Sequence, residues 1–151
     1  MTQIHQVQPS EELFRWLHPG QFKWDEERPV SAAFLDDYMS VDIACLTSLE
    51  ESYKRADQAK KNAVVSIVVQ QAFDKNQKVH HCPSQICESS GSTVCVTDKD
   101  CEAYQSDGLS KKLRCINDAH GCVVGKKTRS IAKFFAKECT VKIYPPKPEH
   151  S

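Results

Sequence analysis

The pattern of apolar and polar positions predicts short strands and helices along the chain. Ala63–Val69 is nearly continuous and rich in β-branched residues, which is typical of a central strand covered on both faces. Val30–Phe34 and Met39–Ile43 alternate enough to predict two strands that each bury one face. Val141–Tyr144 predicts a final strand before a proline-rich tail.

Three helices are predicted from their caps and apolar faces. The first begins at Ser10, which is followed by two acidic residues, and the second runs from Thr47, as the cap, to about Lys61. The third runs from Thr128 to about Cys139. The apolar face of the first helix consists of Leu13, Phe14, Trp16 and Leu17. The elements predict an α+β fold with an α/β-like core, in which a small mixed sheet and about three helices form a single domain over residues 1–151.

Residues 80–124 form a predicted cysteine-rich insertion within that domain. Four residues separate Cys82 from Cys87, five separate Cys95 from Cys101, and six separate Cys115 from Cys122. Paired zinc ligands are typically separated by two to four residues, so only the first pair falls within that range. Zinc binding, disulfides and reduced buried thiols therefore all remain open. His80, His81 and His120 add imidazole donors at both ends of the segment, whereas Cys45 and Cys139 are predicted core thiols. The candidate metal ligands are Cys82, Cys87, Cys95, Cys101, Cys115 and Cys122.

The net charge and the length of the apolar runs exclude some classes of function. The chain has 20 Lys and Arg residues and 20 Asp and Glu residues, so no net field favours nucleic acid or an acidic membrane. Its apolar runs are far shorter than the roughly 20 residues of a membrane span. The N-terminal residues lack the pattern of a secretory signal, which predicts a cytoplasmic location and, with it, metal-bound or reduced cysteines.

Several polar residues predict a small pocket. His18 and His120 are candidate acid–base groups because imidazole titrates near neutral pH. Ser31 and Ser40 lie on predicted strands near them and complete the candidate catalytic set. The alternative is that His18 simply ends a helix and that both serines face solvent. The candidate ligand-binding residues, which offer hydrogen bonds or hold an anion, are Arg15, Asp42, Lys126 and Lys127; for the two lysines the alternative is a solvated basic face.

Four short motifs carry a resemblance. They are His18-Pro19, Ser31–Phe34, Ser40–Asp42 and Asp118–His120, the last followed by Val124-Gly125-Lys126-Lys127. In this order they resemble a group of small bacterial proteins with His-Pro, Ser-x-Ala-Phe, Ser-Val-Asp and Ala-His motifs. The resemblance implies an architecture and candidate positions, and it implies no reaction. An early imidazole followed by serine-containing strands is also similar to NAD-using ADP-ribosyltransferase-like folds, although their late-strand glutamate has no counterpart here.

Three hypotheses follow. The favoured one is a structural module that binds a protein partner and carries a loop stapled by cysteine and histidine, with zinc as the implied cofactor. The second is a small enzyme or nucleotide-binding protein that uses His18 and His120. The third is an exported protein stapled by disulfides.

Overall fold

A computed structural model describes residues 5–87, 93–95 and 113–148, and for 84–87, 93–95 and 113–116 it describes the backbone alone. The helices are α1 (Leu49–Gln58), α2 (Val69–Phe73) and α3 (Arg129–Glu138), and short 3-10 turns span Ser31–Phe34 and Ala44–Leu46. The strands are β1 (Glu12–Leu17), β2 (Phe22–Lys23), β3 (Arg28–Pro29), β4 (Tyr38–Ile43), β5 (Ala63–Val68), β6 (Lys78–His81), β7 (Ser84–Cys87), β8 (Thr93–Cys95), β9 (Leu113–Ile116), β10 (His120–Val124) and β11 (Thr140–Ile143).

A six-stranded sheet organises the fold. Its strand order is β11-β5-β1-β4-β10-β6, and all five pairings are antiparallel. β2 pairs with β3, and β7 pairs with both β8 and β9 to form a small sheet within the cysteine-rich segment. The α+β class predicted from the sequence is confirmed.

Both faces of the sheet centre are covered. On one face Leu13, Met39 and Val65 belong to the same buried cluster as Phe135 of α3. On the other face Phe14 and Val64 pack with Ala56 of α1. β1 and β5 therefore bury side chains in both directions, and the two-sided burial predicted for Ala63–Val69 is confirmed for β5.

The predicted first helix is wrong, because residues 12–17 form β1. Leu13 and Leu17 point to one face of the sheet and Phe14 to the other. A strand buried on both faces has apolar residues at adjacent positions, and such a run is easily mistaken for one side of a helix. Tertiary pairing with β4 and β5 decides the outcome here.

Two further boundaries differ from the prediction. Ser31–Phe34 forms a 3-10 turn in place of a strand, with the backbone N–H of Ala33 donating to the carbonyl of Val30. At α1 the cap is Ser48, whose hydroxyl accepts a hydrogen bond from the backbone N–H of Glu51. The predicted cap, Thr47, instead accepts a hydrogen bond from Arg55 through its side chain.

Candidate metal centre

Three side chains that can ligate a metal meet beyond the ends of β1 and β4. His5 Nε2 lies 2.8 Å from Glu11 Oε1, and the Cys45 thiol donates a 2.8 Å hydrogen bond to the same oxygen. Cys45 Sγ lies 3.6 Å from His5 Nε2. These donor atoms all lie within 4.8 Å of one another, so the group can hold a metal ion.

The register of the sheet brings two of the three ligands together. Leu13 of β1 lies opposite Ile43 of β4. Glu11 directly precedes β1 and Cys45 lies two residues after Ile43, so this antiparallel pairing brings both residues to the same end of the two strands. The 3-10 turn Ala44–Leu46 follows β4 directly and leaves Cys45 exposed.

The third ligand lies on the N-terminal arm, which we define as residues 5–10. Val7 of this arm packs against the main core. The carbonyl of Pro9 accepts a 2.9 Å hydrogen bond from the backbone N–H of Gln70. These contacts hold the arm beside the first residues of β1 and bring His5 to Glu11.

Charge and hydrogen bonding define the protonation of the group. Burial alone would raise the pKa of Glu11, but hydrogen bonds from Cys45, the Gln8 backbone and His5 outweigh it and lower that pKa. Partial desolvation of the largely exposed Cys45 thiol, together with the adjacent Glu11 carboxylate, raises its pKa to about 11. Without an ion, the group is therefore a carboxylate that accepts a hydrogen bond from a neutral thiol.

The donor set indicates which ions suit the site. A histidine nitrogen, a carboxylate oxygen and a cysteine sulfur are the ligand types of zinc and similar transition metals, whereas calcium and magnesium prefer oxygen ligands alone. A metal has to displace the proton of Cys45, because the thiolate is the ligand. The coordination chemistry thus fits a borderline or soft divalent ion.

Sequence reasoning missed this group. The sequence predicts Glu11 as an acidic residue in the first turn of a helix, and it predicts Cys45 as a core thiol. The structure shows Cys45 exposed. His5 lies in a polar segment with no periodicity. The signal that could have found the site is the β1–β4 register, which becomes visible only once residues 12–17 are identified as a strand.

Two of the predicted catalytic residues do come together. His120 of β10 is buried, and its Nε2 lies 3.2 Å from the hydroxyl oxygen of Ser40 on β4. Its Nδ1 lies 3.0 Å from the carbonyl oxygen of Cys82. Burial lowers the pKa of His120, while the Cys82 carbonyl and Asp42 oppose that shift. The imidazole is therefore disposed to stay neutral.

The other two predicted catalytic residues lie elsewhere. His18 follows the end of β1, is exposed, and its backbone N–H donates to Gln21 Oε1. Partial burial, with the charges of Lys61 and Arg15, lowers the pKa of His18. Ser31 begins a 3-10 turn. Within the part of the chain whose side chains are described, no hydrogen bond joins His18 or Ser31 to the Ser40–His120 pair.

Asp42 is the centre of a buried polar network. Its Oδ2 accepts hydrogen bonds of 2.7 Å from both the Ser52 hydroxyl and Arg55 Nη2, and its Oδ1 accepts one of 3.0 Å from Asn117 Nδ2. The Trp16 indole N–H donates to Ser52 Oγ at 2.9 Å. The Asp42 carboxylate thus ties α1 to the sheet, and its assignment to ligand binding stays a prediction.

The remaining candidate ligand-binding residues also contact the protein itself. Arg15 donates to the carbonyl oxygens of Ser40 and Ala33. The Lys127 ammonium is buried and donates to the carbonyls of Val123, at 2.9 Å, and Gly125, at 3.0 Å. The Lys126 side chain is exposed. Binding of an external anion by these groups remains a prediction.

Lys127 predicts a pH dependence of stability. Burial lowers its pKa from 10.5 to about 8, so between those values the unfolded chain binds the proton more readily than the folded one. The free energy of unfolding should therefore rise with pH from about 8 to 10.5, by up to about 3 kcal/mol. Urea unfolding across this range should show a shallower slope for Lys127→Met than for the wild type or the exposed-site control Lys126→Met. Equal slopes in all three proteins would contradict this assignment.

The six cysteines of the insertion are described to different extents. Cys82 and Cys122 are buried and belong to one apolar cluster with Tyr38 and Val124. Cys122 is disulfide-bonded, and in that state its sulfur offers no thiolate to a metal. Cys101 lies outside the described residues, and of Cys87, Cys95 and Cys115 only the backbone is described. Zinc binding by this segment therefore remains a prediction.

Comparisons with protein-family models, curated proteins and solved structures find no match for this chain. The resemblances found in the sequence thus remain predictions. No helix in the described ranges is long and apolar enough to cross a bilayer.

Proposed function

We propose that this protein binds zinc through His5, Glu11 and Cys45, and that the ion fastens the N-terminal arm to the sheet. The observation that carries the proposal is the convergence of three different donor atoms from the arm, the start of β1 and the turn after β4. An ordinary surface ion pair brings together two charged side chains and no third donor. Here a sulfur joins a nitrogen and an oxygen, which is a zinc-type ligand set.

The ion would have a structural consequence. Without it, the side chain of His5 is held by a hydrogen bond to the Glu11 carboxylate, a contact of modest net strength, and its backbone N–H donates to His81. Metal–ligand bonds at that place would restrict the arm more strongly. An ion that binds the folded chain and not the unfolded chain also stabilises the folded state. This role fits the structural or partner-binding module favoured from the sequence, with the metal on the arm. A protein partner and a cytoplasmic location stay predictions.

Zinc stoichiometry tests the proposal. Calorimetric titration of the metal-free protein should lose one equivalent of zinc, or show at least a hundredfold weaker binding at one site, in Cys45→Ser and in His5→Ala. His18→Ala, which removes an exposed histidine outside the group, is the matched control and should bind as the wild type does. Zinc that binds the cysteine-rich segment is unaffected by these substitutions and can be counted separately.

The proposal fails if Cys45→Ser, His5→Ala and Glu11→Gln all bind the same amount of zinc with the same affinity as the wild type. Glu26→Gln is the control for Glu11→Gln, because Glu26 is exposed and its carboxylate forms a surface ion pair with Lys23. The measurement therefore separates the loss of a ligand from the loss of a charge.

A second candidate function rests on the Ser40–His120 contact. If Nδ1–H donates to the Cys82 carbonyl, Nε2 is the acceptor and takes the hydrogen bond of the Ser40 hydroxyl. A hydroxyl next to a neutral imidazole that a third group orients is the arrangement of an activated serine nucleophile. This contact favours the small-enzyme alternative, with acyl transfer as the reaction class.

A serine-directed fluorophosphonate probe separates this candidate from a structural role. Labelling that disappears in Ser40→Ala and persists in Ser31→Ala would support a nucleophile. No labelling of the folded wild type, or equal labelling of Ser40→Ala, would make the pair a structural hydrogen bond.

A further inference from the structure

His81 connects the N-terminal arm to the loop before β10. Its Nδ1 lies 2.7 Å from the backbone nitrogen of His5, and its Nε2 lies 2.6 Å from the carbonyl oxygen of Asp118. The two histidine rings meet edge to face, with 6.1 Å between their centroids. His81 itself is buried.

The partners fix the tautomer of this imidazole. The backbone N–H of His5 is a donor, so Nδ1 of His81 has to present its lone pair. The carbonyl of Asp118 is an acceptor, so the ring hydrogen has to be on Nε2. Both ring nitrogens are thus used within the protein, and His81 is not a fourth ligand of the metal centre in this arrangement.

We propose that His81 is the positioning residue of the metal centre, a role that rests on the zinc-binding function proposed above. Its Nδ1 holds the backbone of His5, the residue whose Nε2 lies beside Glu11 and Cys45. The next backbone hydrogen bonds that tie the arm to β1 are at Gln8, three residues later, where the N–H donates to the Glu11 carboxylate and the carbonyl accepts from the Glu11 N–H. Without the hydrogen bond to His81, only the packing of Val7 and the contacts of Gln8 restrain residues 5–7, so His5 samples more conformations and binding the ion has to restrict them.

The effect on affinity follows from this loss of order. Groups that orient a ligand without touching the ion typically change metal affinity 10- to 100-fold when they are removed. His81→Phe keeps an aromatic ring and removes both hydrogen bonds. His81→Gln keeps one acceptor and one donor on a planar group, so its amide oxygen can accept from the N–H of His5 while its amide nitrogen donates to Asp118.

The experiment measures the zinc dissociation constant of the site that contains Cys45. To separate this site from zinc bound elsewhere, each variant is compared with the same variant that also carries Cys45→Ser. His81→Phe should bind zinc about 10- to 100-fold more weakly than the wild type, and His81→Gln should recover most of the loss. Cobalt bound at saturation should give the same thiolate charge-transfer band in all of them, because the ligands are unchanged. His120→Gln is the control, because it alters a buried histidine that does not contact the arm in the described structure.

The outcomes separate the two proposals. If the wild type itself shows no Cys45-dependent zinc binding, the proposed function fails. If the wild type binds but His81→Phe binds equally well, or is weakened no more than His120→Gln, the positioning role is wrong. A changed cobalt band in His81→Phe would also contradict it, since that would make His81 a ligand.

Discussion

Replacing Asp42 with alanine is expected to lower the free energy of unfolding by about 3 kcal/mol, measured by urea denaturation at neutral pH. The side chain of Asp42 is 1% exposed and accepts hydrogen bonds from Ser52, Arg55 and Asn117. Its removal leaves the Arg55 charge without its carboxylate and the buried Ser52 hydroxyl without its acceptor. Removing one partner of a buried charge pair costs more than the pair itself contributes, because the desolvated partner remains.

Two controls define this effect. Asp57→Ala changes an exposed aspartate on the same helix that Asp42 anchors, and should alter stability by less than about 0.5 kcal/mol. Asp42→Asn keeps the shape and one acceptor, and should fall between the wild type and Asp42→Ala. A stability of Asp42→Ala within 1 kcal/mol of the wild type would show that the network does not anchor α1.

The second large effect is stabilisation by zinc. A ligand that binds only the folded chain adds about 4 kcal/mol to the free energy of unfolding at a thousand times its dissociation constant. We expect zinc to raise the denaturation midpoint of the wild type and to have a much smaller effect on Cys45→Ser. The physical reason is that His5 lies on the arm, Glu11 next to β1 and Cys45 after β4, so the three ligands are brought together only by folding.

The cysteine-rich segment requires a separate control, because cysteines of the unfolded chain also bind zinc and reduce the net stabilisation. Comparing the wild type with Cys45→Ser cancels this contribution, since the other cysteines are the same in both proteins. Equal zinc-dependent shifts in the two proteins would assign the stabilisation to the segment and not to the arm.

Local signals predicted part of the fold well. β5 follows from its β-branched composition, and α3 begins next to Thr128, where the sequence predicts its start. In the structure Thr128 caps the helix by accepting a hydrogen bond from the backbone N–H of Ile131. These elements are recognisable because composition and capping are properties of neighbouring residues. β1 is different, since its apolar residues face two cores at once and its identity depends on pairing with residues that lie 28 or more positions away in sequence.

The same reason explains the candidate site. The sequence predicts Ser40 and His120 as two of four candidate catalytic residues because each residue type has evident chemistry, and β4–β10 pairing brings these two together. His5, Glu11 and Cys45 carry chemistry that is just as evident, but they become neighbours only through the β1–β4 register and the course of the arm. Neither the strand register nor the course of the arm can be predicted from one segment of the sequence at a time.

The most direct test of the metal centre is anomalous X-ray scattering from a crystal of the protein grown with zinc. Difference maps calculated from data above and below the zinc absorption edge should show a peak roughly 2.0–2.3 Å from His5 Nε2, a Glu11 carboxylate oxygen and Cys45 Sγ. Crystals of Cys45→Ser should lack this peak. Wild-type crystals with zinc peaks only at other residues, or with none, would contradict the account.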